Sequence, residues 1–161
     1  MKTAVVYYSM SGNTKLIAEK IAGDLNADLI EIFPENSYPD KGFRKYFWGG
    51  KSAVMGDKPK LMPYEFSADK YDTIVFGTPV WAATFTPPIR TFIEENKAEL
   101  SDKDIAVFMC QSGSGADKAI SKLIKLLERD TLKAQLILVD PKDKPNSEND
   151  SMIKEFCKAL G

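Results

Sequence analysis

The stretch YYSMSGNTKLIAEK, Tyr7 to Lys20, follows three apolar residues that read as a strand and leads into a helical pattern. Ser9, Ser11, Gly12, Asn13 and Thr14 crowd into six positions where a two- or three-residue loop would serve to join the two. A junction of this kind lies at the carboxyl end of a strand and the N-terminus of a helix. Backbone N–H groups are unpaired there, and the helix dipole favours an anion. Hydroxyl and amide groups at positions 9, 11, 13 and 14 add donors, and Gly12 permits close backbone approach, so the loop reads as a nest able to hold a phosphate without a cation. A plain polar turn with a helix cap needs only one Ser or Thr.

The rest of the chain repeats the strand–helix alternation. Apolar runs suited to strands buried on both faces occur at Thr3–Ser9, Asp28–Phe33, Thr73–Gly77, Ile105–Cys110 and Gln135–Val139. Helices are predicted over Thr14–Leu25, from about Pro88 towards Lys97, over Ala116–Arg129 and over Ser151–Leu160. The first carries Leu16, Ile17, Ile21 and Leu25 on one stripe. Thr86 caps the second, whose prolines fit the first turn. Pro34–Tyr71, rich in Pro and aromatic residues, breaks the pattern: one short helix is expected around Phe43–Lys51, with irregular chain elsewhere. Pro141–Asp150, PKDKPNSEND, reads as a polar loop. Such alternation implies right-handed crossovers, an α/β doubly wound parallel sheet with helices on both faces, and a ligand outside the carboxyl ends of the strands.

Composition narrows the function. The 161 residues, 43% hydrophobic, suit one domain, 1–161, with a sizeable core. Lys and Arg total 22 against 23 Asp and Glu, which argues against a nucleic-acid binder held by phosphate neutralisation. Two cysteines form no disulfide framework, no stretch resembles a signal peptide, and no apolar run approaches the roughly 20 residues of a membrane span. A cytoplasmic protein without membrane insertion is the expectation. The absence of histidine removes Ser–His and Cys–His nucleophile pairs and His-ligated metal, leaving a chain that would borrow its chemistry from a cofactor.

The phosphate type is narrowed by what is missing. Neither G-x-x-x-x-G-K-[ST] nor G-x-G-x-x-G is present, no Cys stands in the loop, and no carboxylates cluster after the first strand. A terminal phosphate monoester, bound and left intact, fits best. Two further loops belong to the same sheet edge. GTPVWAATFTPP, Gly77–Pro88, places Thr78, Pro79, Val80 and Trp81 there, where an indole can stack on a flat ligand, or pack as a core aromatic. Cys110-Gln111-Ser112-Gly113-Ser114-Gly115 offers backbone donors and acceptors with no bulky side chain beyond Gln111, or is simple turn chemistry. Cys110, with no adjacent cation to lower its pKa, and Cys157, on the apolar face of the last helix, read as buried apolar residues.

The three loops together resemble the flavodoxin family, in a branch outside its acidic electron carriers. Ser9, Ser11, Gly12, Asn13 and Thr14 match its Ser/Thr-x-Ser/Thr-Gly-x-Thr phosphate motif. The resemblance implies a five-stranded parallel sheet in order 2-1-3-4-5 and FMN as cofactor. The phosphate would lie against Ser9–Thr14, including Met10. Thr78, Pro79, Val80 and Trp81 would flank the ring, and Cys110 to Gly115 would line its other side or its pyrimidine edge.

Three departures bear on role. The net charge is near neutral, the loop at 111–115 offers no second aromatic, and Thr78–Ala83 contains no glycine. The aromatic segment Phe43–Trp48 can cover the open face of the ring, meet a partner, or pack its own apolar side, with Arg44 and Lys45 facing an anionic substrate. The resemblance implies electron transfer between protein partners. The alternatives are an NAD(P)H-dependent FMN or quinone reductase with a small nicotinamide or quinone substrate, and a non-catalytic flavin-binding interaction module. Monomer and dimer both stay open.

Overall fold

The computed structural model describes residues 1–39 and 42–161, with the side chains of residues 42–48 outside that description. The roles expected for Arg44, Lys45 and the aromatics Phe43, Tyr46, Phe47 and Trp48 therefore lie outside the described residues. In chain order the elements are β1 Thr3–Tyr7, α1 Asn13–Leu25, β2 Asp28–Glu31, α2 Gly42–Met55, β3 Thr73–Trp81, β4 Thr84–Phe85, α3 Pro87–Glu95, α4 Lys97–Leu100, β5 Asp104–Gln111, α5 Ala116–Leu126, β6 Ala134–Val139 and α6 Ser147–Leu160. The sheet order is β2-β1-β3-β5-β6, all parallel, with β4 paired antiparallel to β3. The five parallel strands run in the expected order.

The strand pattern splits the core in two. In β1, Ala4 and Val6 face one cluster while Val5 and Tyr7 face the other, as successive side chains must. The first cluster takes Ile89, Phe92 and Ile93 from α3 and Ile120 and Leu123 from α5. The second takes Ile17 and Ile21 from α1 and Ile153, Phe156 and Leu160 from α6. Helices therefore cover both faces, and the central strands β1 and β5 are apolar almost throughout.

Four features differ from the sequence expectation. The strands β2 and β6 are not buried on both faces: they are the two edges of the parallel sheet, and Leu29 and Val139 are exposed. The β3 strand does not end at Gly77 but runs to Trp81 and turns back as a hairpin, Val80 opposite Phe85 and Trp81 opposite Thr84. Its two-residue turn, Ala82-Ala83, has φ of 49° and 55°, a left-handed pair that glycine and asparagine usually supply and that alanine does not advertise. The helix expected around Phe43–Lys51 extends to Met55. At the other end of the chain α6 begins at Ser147, where the Asn146 side chain accepts the Asn149 N–H at 2.8 Å, so the polar segment 141–150 is loop only up to that cap. Among the described residues, no helix is long and apolar enough to cross a membrane.

Candidate functional site

At the carboxyl ends of β1, β3 and β5, a cleft is lined by Met10, Ser11 and Asn13; by Pro79, Val80, Trp81 and Ala82; and by Cys110, Gln111, Ser112, Gly113 and Ser114. Gly50 and Asp140 complete the lining. The three loops singled out in the sequence thus meet at one place.

The first loop is shaped by its own side chains. Gly12 has φ of 93°, a left-handed value that a β-carbon would strain, and it sits at the N-terminal cap of α1. Ser9 Oγ accepts the N–H groups of Gly12 and Lys15, each at 3.2 Å. The N–H groups of Asn13 and Thr14, in the first turn, have no intrahelical acceptor. Asn13 is largely spent on structure: its Oδ1 accepts the Lys142 N–H at 2.8 Å, and its Nδ2 donates to Ser11 Oγ and to Asp143 Oδ2, each at 3.3 Å. Thr14 is buried, with its hydroxyl against the Cys110 thiol. A cation does stand at this loop, contrary to the sequence expectation: Lys142 Nζ donates to Ser11 O at 3.1 Å.

The second loop forms one wall. Trp81 is half-buried and meets Tyr8 edge-on at 5.8 Å and Tyr38 at 5.1 Å. On the indole's own face rests the backbone of α2, since a β-carbon on Gly49 would come within 3.2 Å of Trp81 Cε3. The indole is therefore at once a packed aromatic and a lining residue. Thr78 does not reach the cleft: it is fully buried, and its Oγ1 accepts the Thr86 N–H at 3.1 Å, tying the hairpin to the start of α3.

The third loop is open. Gln111 does not offer its side-chain oxygen to a ligand but uses it on the Ala116 N–H at 3.0 Å, which caps α5. Ser112, Gly113 and Ser114 are exposed, and nothing lies within 4 Å of a β-carbon built on Gly113. Gly115 is outside the lining and serves packing instead. Its φ is 104°, and its Cβ position is 3.0 Å from Ala83 Cα. Lys122 holds the same hairpin from the other side, donating to Ala83 O at 3.0 Å and Thr84 Oγ1 at 2.7 Å.

Electrostatically the cleft is quiet. Burial pushes the Cys110 thiol up to about 12, the Thr14 contact only partly opposing it, so Cys110 is a neutral floor. Burial also pushes Asp140 up, but the Ser112 hydroxyl and the Lys144 ammonium at 3.1 Å outweigh it and hold the carboxyl below its usual value. Asp140, Lys142 and Asp143 are site neighbours that sequence reasoning misses. Their position just after the last strand is the available signal, because every loop at that sheet edge borders the ligand region.

A doubly wound parallel sheet with a cleft at the carboxyl ends of its strands places the chain in the open α/β class, with an amide-rich loop and an indole at the cleft. The family model described as flavodoxin matches residues 2–147, and the chain belongs to the flavodoxin family. Solved structures share the fold. A Lactobacillus acidophilus flavoprotein in complex with FMN superposes with a TM-score of 0.76 at 23% identity, covering 96% of this chain and 97% of that one. Oxidised flavodoxin 1 of Bacillus cereus gives 0.60 at 18% identity, covering 99% and 97%. Two-electron-reduced Megasphaera elsdenii flavodoxin gives 0.60 at 17%, covering 98% and 96%.

Proposed function

We propose that the chain binds FMN in this cleft and passes electrons between redox partner proteins. The amides of the Ser9–Thr14 loop would hold the phosphate monoester. Pro79, Val80 and Trp81 would flank one side of the ring, and the backbone of Gln111–Ser114 would meet its polar edge. Bound flavin supplies the redox chemistry that a histidine-free cleft lacks.

The chain's own residues have simpler roles. They fix the anion at one end, exclude water with the indole at the other, and keep the floor uncharged through Cys110. The observation that carries the reading is the convergence of an amide-rich turn and an aromatic wall on one cleft within this family.

A second reading, an NAD(P)H-dependent FMN or quinone reductase, draws on the Ser112–Ser114 wall, which is exposed and free of bulky side chains, leaving room for a second flat ring. Anaerobic stepwise reduction of the FMN-loaded protein separates the two. Electron uptake in two distinct one-electron steps, with slow oxidation of NAD(P)H, is the expected result. Rapid NAD(P)H oxidation with a single two-electron step would replace the carrier with the reductase.

A further inference from the structure

The loop after β6 touches the Ser9–Thr14 turn through Lys142, a residue that the phosphate motif itself does not include. Two hydrogen bonds and one close approach fix the geometry. The Lys142 N–H donates to Asn13 Oδ1 at 2.8 Å, its Nζ donates to Ser11 O at 3.1 Å, and that Nζ lies 3.1 Å from the position a β-carbon on Gly12 would occupy. In a trans peptide the C=O and the N–H of the next residue point in opposite directions. An ammonium on the Ser11 carbonyl therefore stands behind the peptide whose N–H belongs to Gly12. That N–H faces the interior of the turn, where it reaches Ser9 Oγ at 3.2 Å.

We infer that Lys142 is a positioning residue of the phosphate site. Its ammonium holds the Ser11–Gly12 peptide with the N–H aimed inward and polarises it, so that the amide is a stronger donor to an anion that shares or replaces Ser9 Oγ as its acceptor. The inference rests on the reading of this turn as the FMN phosphate site.

The surrounding charges favour orientation over simple attraction. Asp143 accepts from Asn13 Nδ2 at 3.3 Å, and Asp140 pairs with Lys144 at 3.1 Å. Two carboxylates thus offset Lys142 and Lys144 within five residues, and the loop adds no net positive charge. Its contribution is a fixed dipole, delivered through one carbonyl and anchored by Asn13.

The test compares FMN and riboflavin binding, by fluorescence, for wild type, Lys142→Met and Lys142→Arg. Lys142→Met should weaken FMN about fivefold while riboflavin stays within about twofold, the scale of one exposed charged contact. Lys142→Arg should restore FMN binding to within about twofold, because a guanidinium can donate to the same carbonyl. Equal losses for both ligands would mark Lys142 as merely structural, and an unchanged FMN affinity would remove it from the site; either result overturns the inference. A titration with inorganic phosphate, read at the Gly12 amide by NMR, keeps the two claims apart. If wild type ignores FMN yet phosphate moves Gly12 in wild type and not in Lys142→Met, the flavin reading falls and the role of Lys142 stands. If phosphate moves Gly12 in neither protein, Lys142 has no such role.

Discussion

The two ends of the cleft are built by opposite means. At the turn end, three side chains from two segments interlock: Ser9 holds two backbone amides, Asn13 reaches the loop after β6, and Lys142 reaches back to Ser11. At the ring end, close packing shapes the wall, and the hydrogen bonds of Lys122 and Thr78 hold the hairpin behind it. An alanine pair in left-handed conformation leans on Gly115, and a glycine of α2 leans on Trp81. Polar interlocking presets donor directions at an anion site, where direction decides the strength of each bond. Small residues let backbones come close around a flat ligand, where contact area matters more.

The largest expected effect is at the ring end. Gly115→Ala would combine a strained φ with a 3.0 Å contact to the Ala83 backbone, which cannot swing aside. A loss of about 3 kcal/mol is expected by urea unfolding. By contrast Gly12→Ala meets only the flexible end of Lys142 and should cost about 1 kcal/mol; equal losses would erase the distinction between the two ends.

In the opposite direction, the A82N/A83G double substitution places residues that favour this turn at φ of 49° and 55°, and should gain about 1.5 kcal/mol in the same assay. No gain would mean that the hairpin holds no strain to release.

The turn end predicts a smaller and more selective loss. Asn13→Ala leaves the Lys142 N–H without its side-chain acceptor and should cost about 1 kcal/mol of stability. FMN should weaken more than riboflavin in calorimetric titrations.

The smallest effect is one of pH. The Asp140 carboxyl lies below its usual value when folded, so its contribution is present above about pH 4 and fades as the pH falls through the folded-state value. Asp140→Asn should flatten the acid limb of a stability–pH profile slightly, and a steeper limb would contradict the assignment.

Much of this architecture is legible in the amino-acid sequence. Short apolar runs at β1, β3 and β5, with helical stripes between, are enough to specify a doubly wound sheet, because strands buried on both faces have little other use. The Ser9–Thr14 turn is legible because it carries more donors than a cap requires. The hairpin at Ala82-Ala83 is not, since nothing in an alanine pair signals a left-handed turn; Gly115 and Lys122, far along the chain, impose it. Gln111 reads as a ligand group from its place in a loop, but an unpaired N–H at the start of α5 claims its oxygen. Lys142 hides in a charged stretch whose only visible property is polarity.

Everything proposed for the cleft depends on the turn end recognising a phosphate monoester attached to a flat ring. A fluorescence titration of the wild-type protein with FMN, run beside riboflavin, probes this without intermediaries, because the two share the ring and differ in the phosphate. Quenching of FMN fluorescence, with far tighter binding of FMN than of riboflavin, is the expected result. Equal affinity for the two would contradict the role given to Ser9–Thr14, and the absence of binding to either would leave the fold without the function proposed for it.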